Sequence, residues 1–229
     1  MKYYNIKEAL FLERPNRFIA YAQLNNEIVT CHVKNTGRCL ELLIPGKTTV
    51  YLEDHGENTT RKTRYSLVKA RKGSRLVNLD SQAPNQIVFD WMQAGGLFSD
   101  LTYLKREHKF GNSRFDIYYE RENGVKGFVE VKGVTQEIND IATFPDAPTE
   151  RGVKHIYELI EAKHAGLEAN IVFVIQMSPI NHFTPNDHIH PEFGIALREA
   201  NKQGVHIYAI DCHVTEDEIW AKDFVEVNF

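Results

Sequence analysis

Asp116, Glu130 and Lys132 are residues whose types and spacing suit a reaction. They lie in a stretch that reads Ser113-Arg114-Phe115-Asp116-Ile117-Tyr118-Tyr119, passes a polar segment with Asn123-Gly124, and resumes as Gly127-Phe128-Val129-Glu130-Val131-Lys132. Two β-rich runs around Asn-Gly predict a hairpin. Side chains alternate faces along a strand. Phe115, Ile117 and Tyr119 then share one face and Asp116 points the other way, while Glu130 and Lys132 lie opposite Val129 and Val131. The hairpin is expected to gather the two acids and the lysine on one side of a sheet. Such a set is costly to bury unless paired. It suits metal-dependent phosphodiester cleavage. Mg²⁺ (or Mn²⁺) takes oxygen ligands and needs only one or two carboxylates, here Asp116 and Glu130. A bound ion makes hydroxide available near neutral pH, and Lys132 would orient the water or offset charge in the transition state. The pattern alone is loose, because alternating charge on a solvated strand face also produces Glu-x-Lys.

A second electrostatic feature precedes it. Arg61, Lys62, Arg64, Lys69, Arg71, Lys72 and Arg75 occur with no acidic residue among them, and Tyr65 interleaves. A basic strand surface with an aromatic suits backbone phosphates and stacked bases. A solvated face would carry mixed charge, so a polyanion partner is expected. Near Asn35-Thr36-Gly37-Arg38, backbone N–H groups and the Arg38 side chain would hold a phosphate, although a plain turn fits equally.

These residues need elements to carry them. Residues 17–24, 27–33, 47–52, 64–72 and 75–79 read as short strands, with a turn at Asn25-Asn26, and their spacing predicts a small five-stranded barrel. Residues 84–94 read as a helix with Ile87, Val88, Trp91 and Met92 on one face, ended by Gly95-Gly96. A strand over 103–110 precedes the hairpin. Residues 137–148 read as a loop. A helix over 149–165 is expected to bury Val153, Ile156, Tyr157 and Ile160, with Arg151, Lys154 and His155 off that stripe. Basic groups at a helix N-terminus oppose the macrodipole, so a phosphate there would relieve them. The apolar run 171–176 reads as a buried central strand, and a helix over 191–203 leads to a strand over 205–210. This order implies a mixed sheet flanked by helices, with domains at 1–82 and 83–229. Asp90 and Glu107 are secondary candidates for an acidic ligand. His182, His188 and His190 in a polar loop are discounted as a metal cluster.

The 229 residues are 42% hydrophobic and 25% charged, which is ordinary for a soluble globular chain. The net charge of −4 disfavours a packaging polycation but leaves room for a basic patch. No apolar run is long enough to span a membrane, and residues 1–5 show no signal-peptide pattern. Three widely spaced cysteines form no Cys-x-x-Cys pair and read as reduced thiols of a cytoplasmic protein. Nothing calls for an organic cofactor. A homodimer is carried as an open alternative to a monomer.

Several stretches together resemble the sugar fermentation stimulation protein family. They are Asn35-Thr36-Gly37-Arg38 with Leu43-Ile44-Pro45-Gly46, Pro84-Asn85, Ser113-Arg114-Phe115-Asp116, Val129-Glu130-Val131-Lys132-Gly133-Val134-Thr135, Phe144-Pro145-Asp146-Ala147, and Thr149-Glu150-Arg151-Gly152 with Lys154-His155. They follow the family's order across nearly the whole chain. The resemblance implies an α+β or α/β architecture, with an N-terminal oligonucleotide-binding (OB-like) barrel before a domain of the restriction-endonuclease-like, PD-(D/E)XK type. It implies DNA binding without sequence preference and regulation of sugar (maltose) utilisation. The nuclease pattern's first acid matches Asp116, and its Glu-x-Lys matches Glu130 and Lys132. The usual proline before the first acid is replaced by Phe115, at a position that varies in such nucleases.

Two functions follow as expectations. One is a Mg²⁺-dependent deoxyribonuclease, with DNA, single- or double-stranded, held by Arg38, Arg61, Lys62, Arg64, Tyr65, Arg71, Lys72, Arg114, Arg151, Lys154 and His155. The alternative is a non-catalytic DNA-binding regulator on a nuclease-like fold. Direct action on sugar would want a paired-carboxylate cleft with aromatic platforms, which the basic stretch and the Glu-x-Lys pair fit less well. The sequence shows no recognition helix in the basic region, so major-groove readout is not expected.

Overall fold

In Ile6–Glu13 (β1) only Ala9 and Phe11 are buried. Lys7 and Glu8 interrupt the alternation a half-buried strand should show, and the strand is not evident from the sequence. It is nonetheless the hub of the first sheet. In the computed structural model, which describes every residue except Asn58 and Asn112, β1 pairs antiparallel with both Ile19–Leu24 (β2) and Thr49–Asp54 (β4). Glu27–Val33 (β3) pairs with β2 through a turn whose Asn25 and Asn26 have φ of 50° and 67°, the left-handed values a two-residue hairpin turn requires. Tyr65–Lys72 (β5) pairs antiparallel with β4 and parallel with β3, at Cys31↔Tyr65 through Val33↔Leu67. That last pairing closes five strands into a ring, the OB-like barrel expected. Its membership differs from the expectation. β1 supplies the fifth strand, and Arg75–Asn78 (β6), read as the fifth, pairs with β5 outside the ring.

The chain divides into two units, each with its own core. The first is Met1–Ala83 with Gln176–Ser178 and Cys212–Trp220. The second is Pro84–Ile175 with Pro179–Asp211 and Ala221–Phe229.

After the barrel come Ala83–Gln93 (α1), Leu101–Phe110 (β7), Ser113–Arg121 (β8), Lys126–Val134 (β9), Gln136–Ile138 (β10), Ile141–Phe144 (β11), Glu150–His164 (α2), Glu168–Ile175 (β12), His182–Pro185 (β13), Pro191–Lys202 (α3), His206–Val214 (β14) and Ile219–Val227 (β15). Nine strands form one mixed sheet in the order β10-β11-β13-β15-β14-β12-β9-β8-β7. β7, β8 and β9 are an antiparallel meander, whereas β9, β12 and β14 run parallel. β12 lies between two parallel neighbours, so both its edges are paired, and its run Ala169 to Ile175 is wholly buried on both faces. Phe173 stacks on Phe183 at 4.1 Å between ring centres, and Phe144 and Phe193 of α3 pack beside them. Residues 137–148 are not simply a loop. They hold the β10–β11 hairpin, whose turn places Asn139 and Asp140 at positive φ. Strands of three and four residues carry too little pattern to be read in advance.

Helix α2 corrects a second expectation. Its buried face is Gly152, His155, Ile156, Leu159, Ile160 and Ala162, and Tyr157 is exposed. Positions 152, 155, 156, 159 and 160 keep the spacing of one helical stripe. The expected stripe of Val153, Ile156, Tyr157 and Ile160 is thus shifted round the helix, and His155 lies on it rather than off it. Thr149 caps the helix by accepting the Gly152 N–H at 3.1 Å.

One ion pair in the barrel gives a pH test. The hydrogen bonds from Arg64 Nε and Nη2 to Asp54, at 2.7 and 2.8 Å, are the main reason that the carboxyl titrates at about 2 rather than at its ordinary value of 3.8. A depressed pKa contributes stability that is complete above the unfolded value and is lost as pH falls through the folded one. Asp54→Asn should flatten the fall in melting temperature between about pH 4 and pH 2. An unchanged acid limb would show that the pair adds nothing.

Candidate active site

The hairpin β8–β9 turns at Asn123-Gly124, with Gly124 at φ +80°. Its ladder runs from Glu120↔Lys126 to Ile117↔Val129. Just past Ile117, the N–H of Val131 donates to Asp116 Oδ2 at 2.8 Å. A strand N–H thereby meets a side-chain carboxylate, and Asp116 is pinned against the strand that carries Glu130 and Lys132. Its other oxygen, Oδ1, accepts the side-chain amide of Asn85 at 2.7 Å, from the first turn of α1. On β9, Lys132 Nζ lies 2.6 Å from Glu130 Oε1. His155 Nδ1, from the buried face of α2, meets the same oxygen at 2.6 Å. The site thus draws on two adjacent strands and two helices.

Glu130 is 3% exposed and its Oε2 is buried with no hydrogen-bond partner among the described residues. Burial is the largest influence on its carboxyl and pushes the pKa up. The His155 hydrogen bond and then the charge of Lys132 lead the influences that outweigh it, so the pKa falls below the ordinary value. Asp116 moves the opposite way. Burial and then the negative charge of Glu130 raise it, against the Val131 N–H, Lys132 and Asn85. Two neighbouring acids driven apart in this way form a site where a cation would relieve the strain between them.

No three His, Cys, Asp or Glu side chains converge as a metal cage among the described residues. Mg²⁺ does not need one, since it keeps several waters and binds through one or two carboxylates. The orphaned Oε2 of Glu130 beside Asp116 fits that donor set. Asp90 and Glu107 do not join it. Asp90 is exposed and accepts from Gln86, and Glu107 pairs with Arg114 at 2.9 Å on the surface.

Residues 82–218 match the family model described as the sugar fermentation stimulation protein RE domain, and residues 12–79 match the SfsA N-terminal OB domain. The chain belongs to the sugar fermentation stimulation protein family. It is 56% identical over 228 residues to the homolog of Desulfitobacterium hafniense strain Y51, covering 100% of this chain and 98% of that one. It is 54% identical to the homolog of Ruminiclostridium cellulolyticum, covering all of both. The structure of Pyrococcus furiosus SfsA in complex with Ca²⁺ superposes with a TM-score of 0.89 at 28% identity, covering 100% of this chain and 98% of that one.

In this member of the sugar fermentation stimulation family, the basic stretch is not one open cationic face. Lys69 is fully buried. It donates to Glu216 O at 2.9 Å and lies 4.5 Å from the centre of the Tyr3 ring, and burial draws its pKa down to about 8. Arg64 is engaged by Asp54 and by Glu57 at 3.3 Å, and its guanidinium covers Tyr65 at 5.1 Å. Arg71 bonds the Tyr51 hydroxyl and lies 4.0 Å from Glu216. Arg61 reaches His55 at 3.1 Å, and Lys62 is exposed. Lys72 is half-buried on β5. Arg38 is exposed, but the Gly37 N–H is taken by Asn35 Oδ1 at 2.7 Å. The carbonyls of Asn35, Gly37 and Arg38 instead face the Arg14 guanidinium, so that loop presents acceptors where donors were expected. In the second unit Lys154 is exposed, 3.7 Å from Glu158, in the wall of a cavity of about 370 Å³. Arg151 is exposed and its Nε points to His155 Nε2 at 3.4 Å. His155 itself is buried against Glu130. Asn85 was visible in the sequence only as part of a family motif. No local pattern announces its bond to Asp116.

Asn85→Leu would remove the donor on Asp116 Oδ1 and leave the Val131 N–H in place. In metal-free buffer, carboxyl NMR titration should find Asp116 above the ordinary aspartate range in the parent and higher still in the variant. Equal values would show that Asn85 exerts no hold on the site.

Proposed function

We propose that this chain is a divalent-metal-dependent nuclease that hydrolyses phosphodiester bonds in DNA. The observation that carries the reading is the buried, unpartnered Oε2 of Glu130 beside a second carboxylate whose pKa is raised. A pure binding protein has no use for two acids near phosphate, because they repel the ligand unless a cation intervenes. Asp116 and Glu130 would hold Mg²⁺ or Mn²⁺. When bound, such an ion supplies hydroxide near neutral pH and offsets charge at the phosphate. The Ca²⁺ complex of the Pyrococcus furiosus relative supports a divalent ion in the family, since Ca²⁺ and Mg²⁺ both choose oxygen ligands.

Lys132 orients the attacking water and stabilises the charge that grows on the phosphate. Asn85 and the Val131 N–H keep Asp116 turned towards Glu130. Arg151 and Lys154, at the exposed start of α2, are placed to receive backbone phosphates beside the site. On the barrel, Arg38, Arg61 and Lys62 are exposed and would meet the backbone first. Arg64, Arg71 and Lys72 contribute to DNA holding where their protein partners yield to phosphate. Interactions of this kind follow the backbone and carry no sequence information.

One observation favours a second reading. Lys132 is already closed onto Glu130 at 2.6 Å, an arrangement a non-catalytic DNA-binding regulator would also keep. Cleavage of labelled single- and double-stranded DNA with Mg²⁺ or Mn²⁺ decides between them. The parent should cut, and Lys132→Ala should lose roughly a hundredfold or more in rate, in line with the loss of one charge-stabilising group. Metal-independent binding with no cleavage by either protein would establish the regulator.

Backbone binding has its own signature. The double variant Arg61→Glu, Lys62→Glu should weaken DNA binding for all sequences alike. It should also lower the slope of log affinity against log salt by about one for each phosphate that the protein no longer neutralises. An unaltered slope would remove that surface from the interface.

A further inference from the structure

We infer that His155 is a positioning residue for the candidate metal centre: it holds Oε1 of Glu130, keeping Oε2 available to a divalent ion and leaving Lys132 free to move to substrate. The inference rests on the metal-dependent reading of this site.

Three interactions carry it. Glu130 Oε1 receives both Lys132 Nζ and His155 Nδ1, each at 2.6 Å, while Oε2 has no partner among the described residues. An ionised carboxylate is an acceptor only, and one this deeply buried needs a donor at all times. Lys132 cannot be that permanent donor if it must turn to an attacking water. Once it leaves, His155 alone keeps the carboxylate paired and oriented.

The third interaction selects the tautomer of the imidazole. Arg151 Nε approaches His155 Nε2 at 3.4 Å. A guanidinium only donates, so Nε2 is the accepting nitrogen and Nδ1 carries the proton that Glu130 receives. The hydrogen bond on one ring nitrogen thereby decides which nitrogen serves the carboxylate. The ring is also held mechanically. His155 lies on the buried stripe of α2 with Gly152, Ile156 and Leu159, where an apolar residue would pack as well. A histidine there is accounted for by what it does to Glu130.

The test is calorimetric titration of the full chain with Mn²⁺, comparing the parent with His155→Asn, His155→Gln and His155→Ala. The amide nitrogen of asparagine falls near the position of Nδ1, and that of glutamine near Nε2. Losing an outer partner of a metal ligand typically costs roughly ten- to a hundredfold in affinity. His155→Ala and His155→Gln should show that loss, and His155→Asn should stay within about threefold of the parent. Melting temperatures measured alongside separate this pattern from a general loss of fold, which would not single out the asparagine variant. If the alanine variant does not fold, the glutamine and asparagine variants carry the comparison. Equal affinity in all four proteins overturns the positioning role while leaving the metal centre standing. An asparagine variant as weak as the glutamine variant also overturns it. A parent that takes up no Mn²⁺ overturns the metal centre and this inference together.

Discussion

Glu130 lies on a strand with close neighbours on both sides, and an ionised carboxylate buried there persists only with donors around it. The second unit is arranged to supply them. Lys132 comes from the same strand two residues on, and His155 comes from α2. For His155 to arrive, α2 must dock with the stripe that includes Ile156, Leu159 and Ile160. That docking depends on the sheet behind it, including the wholly buried run of β12. The hydrophobic core and the polar site are therefore linked. The packing that buries the aliphatic face of α2 also delivers a hydrogen-bond donor to the carboxylate.

The same site shows how partial satisfaction differs from full satisfaction. Among the described residues, Asp116 has donors on both oxygens, whereas Glu130 has two donors on one oxygen and none on the other. In a purely structural polar cluster such an orphan would be a defect. Under the proposed metal-dependent reading, it is the position a cation would take.

In the barrel, charge and position part company. Arg64, Lys69 and Arg71 belong to one run of like charge in the chain. In the fold, Asp54 and Glu57 engage the first, the Glu216 carbonyl takes the second inside the protein, and Tyr51 takes the third. Of the basic groups expected to meet DNA on the barrel, Arg38, Arg61 and Lys62 are the exposed ones.

Much of the site was legible because it is local. A hairpin with an Asn-Gly turn has its register set by a few adjacent residues, so alternation sufficed to bring Asp116 near Glu130 and Lys132. The five-strand barrel was legible from strand spacing, but β1 was not, since Lys7 and Glu8 break its alternation and its role comes from pairing with β2 and β4. The sequence by itself determined the acids, the lysine, the turn that joins them and the apolar strand β12. Only the tertiary structure decided that His155 faces Glu130 rather than solvent, that Asn85 steadies Asp116, and that Lys69 is interior. Those partners lie far along the chain. A hydrogen bond or ion pair across such a distance depends on how elements dock, which no local pattern of residues encodes.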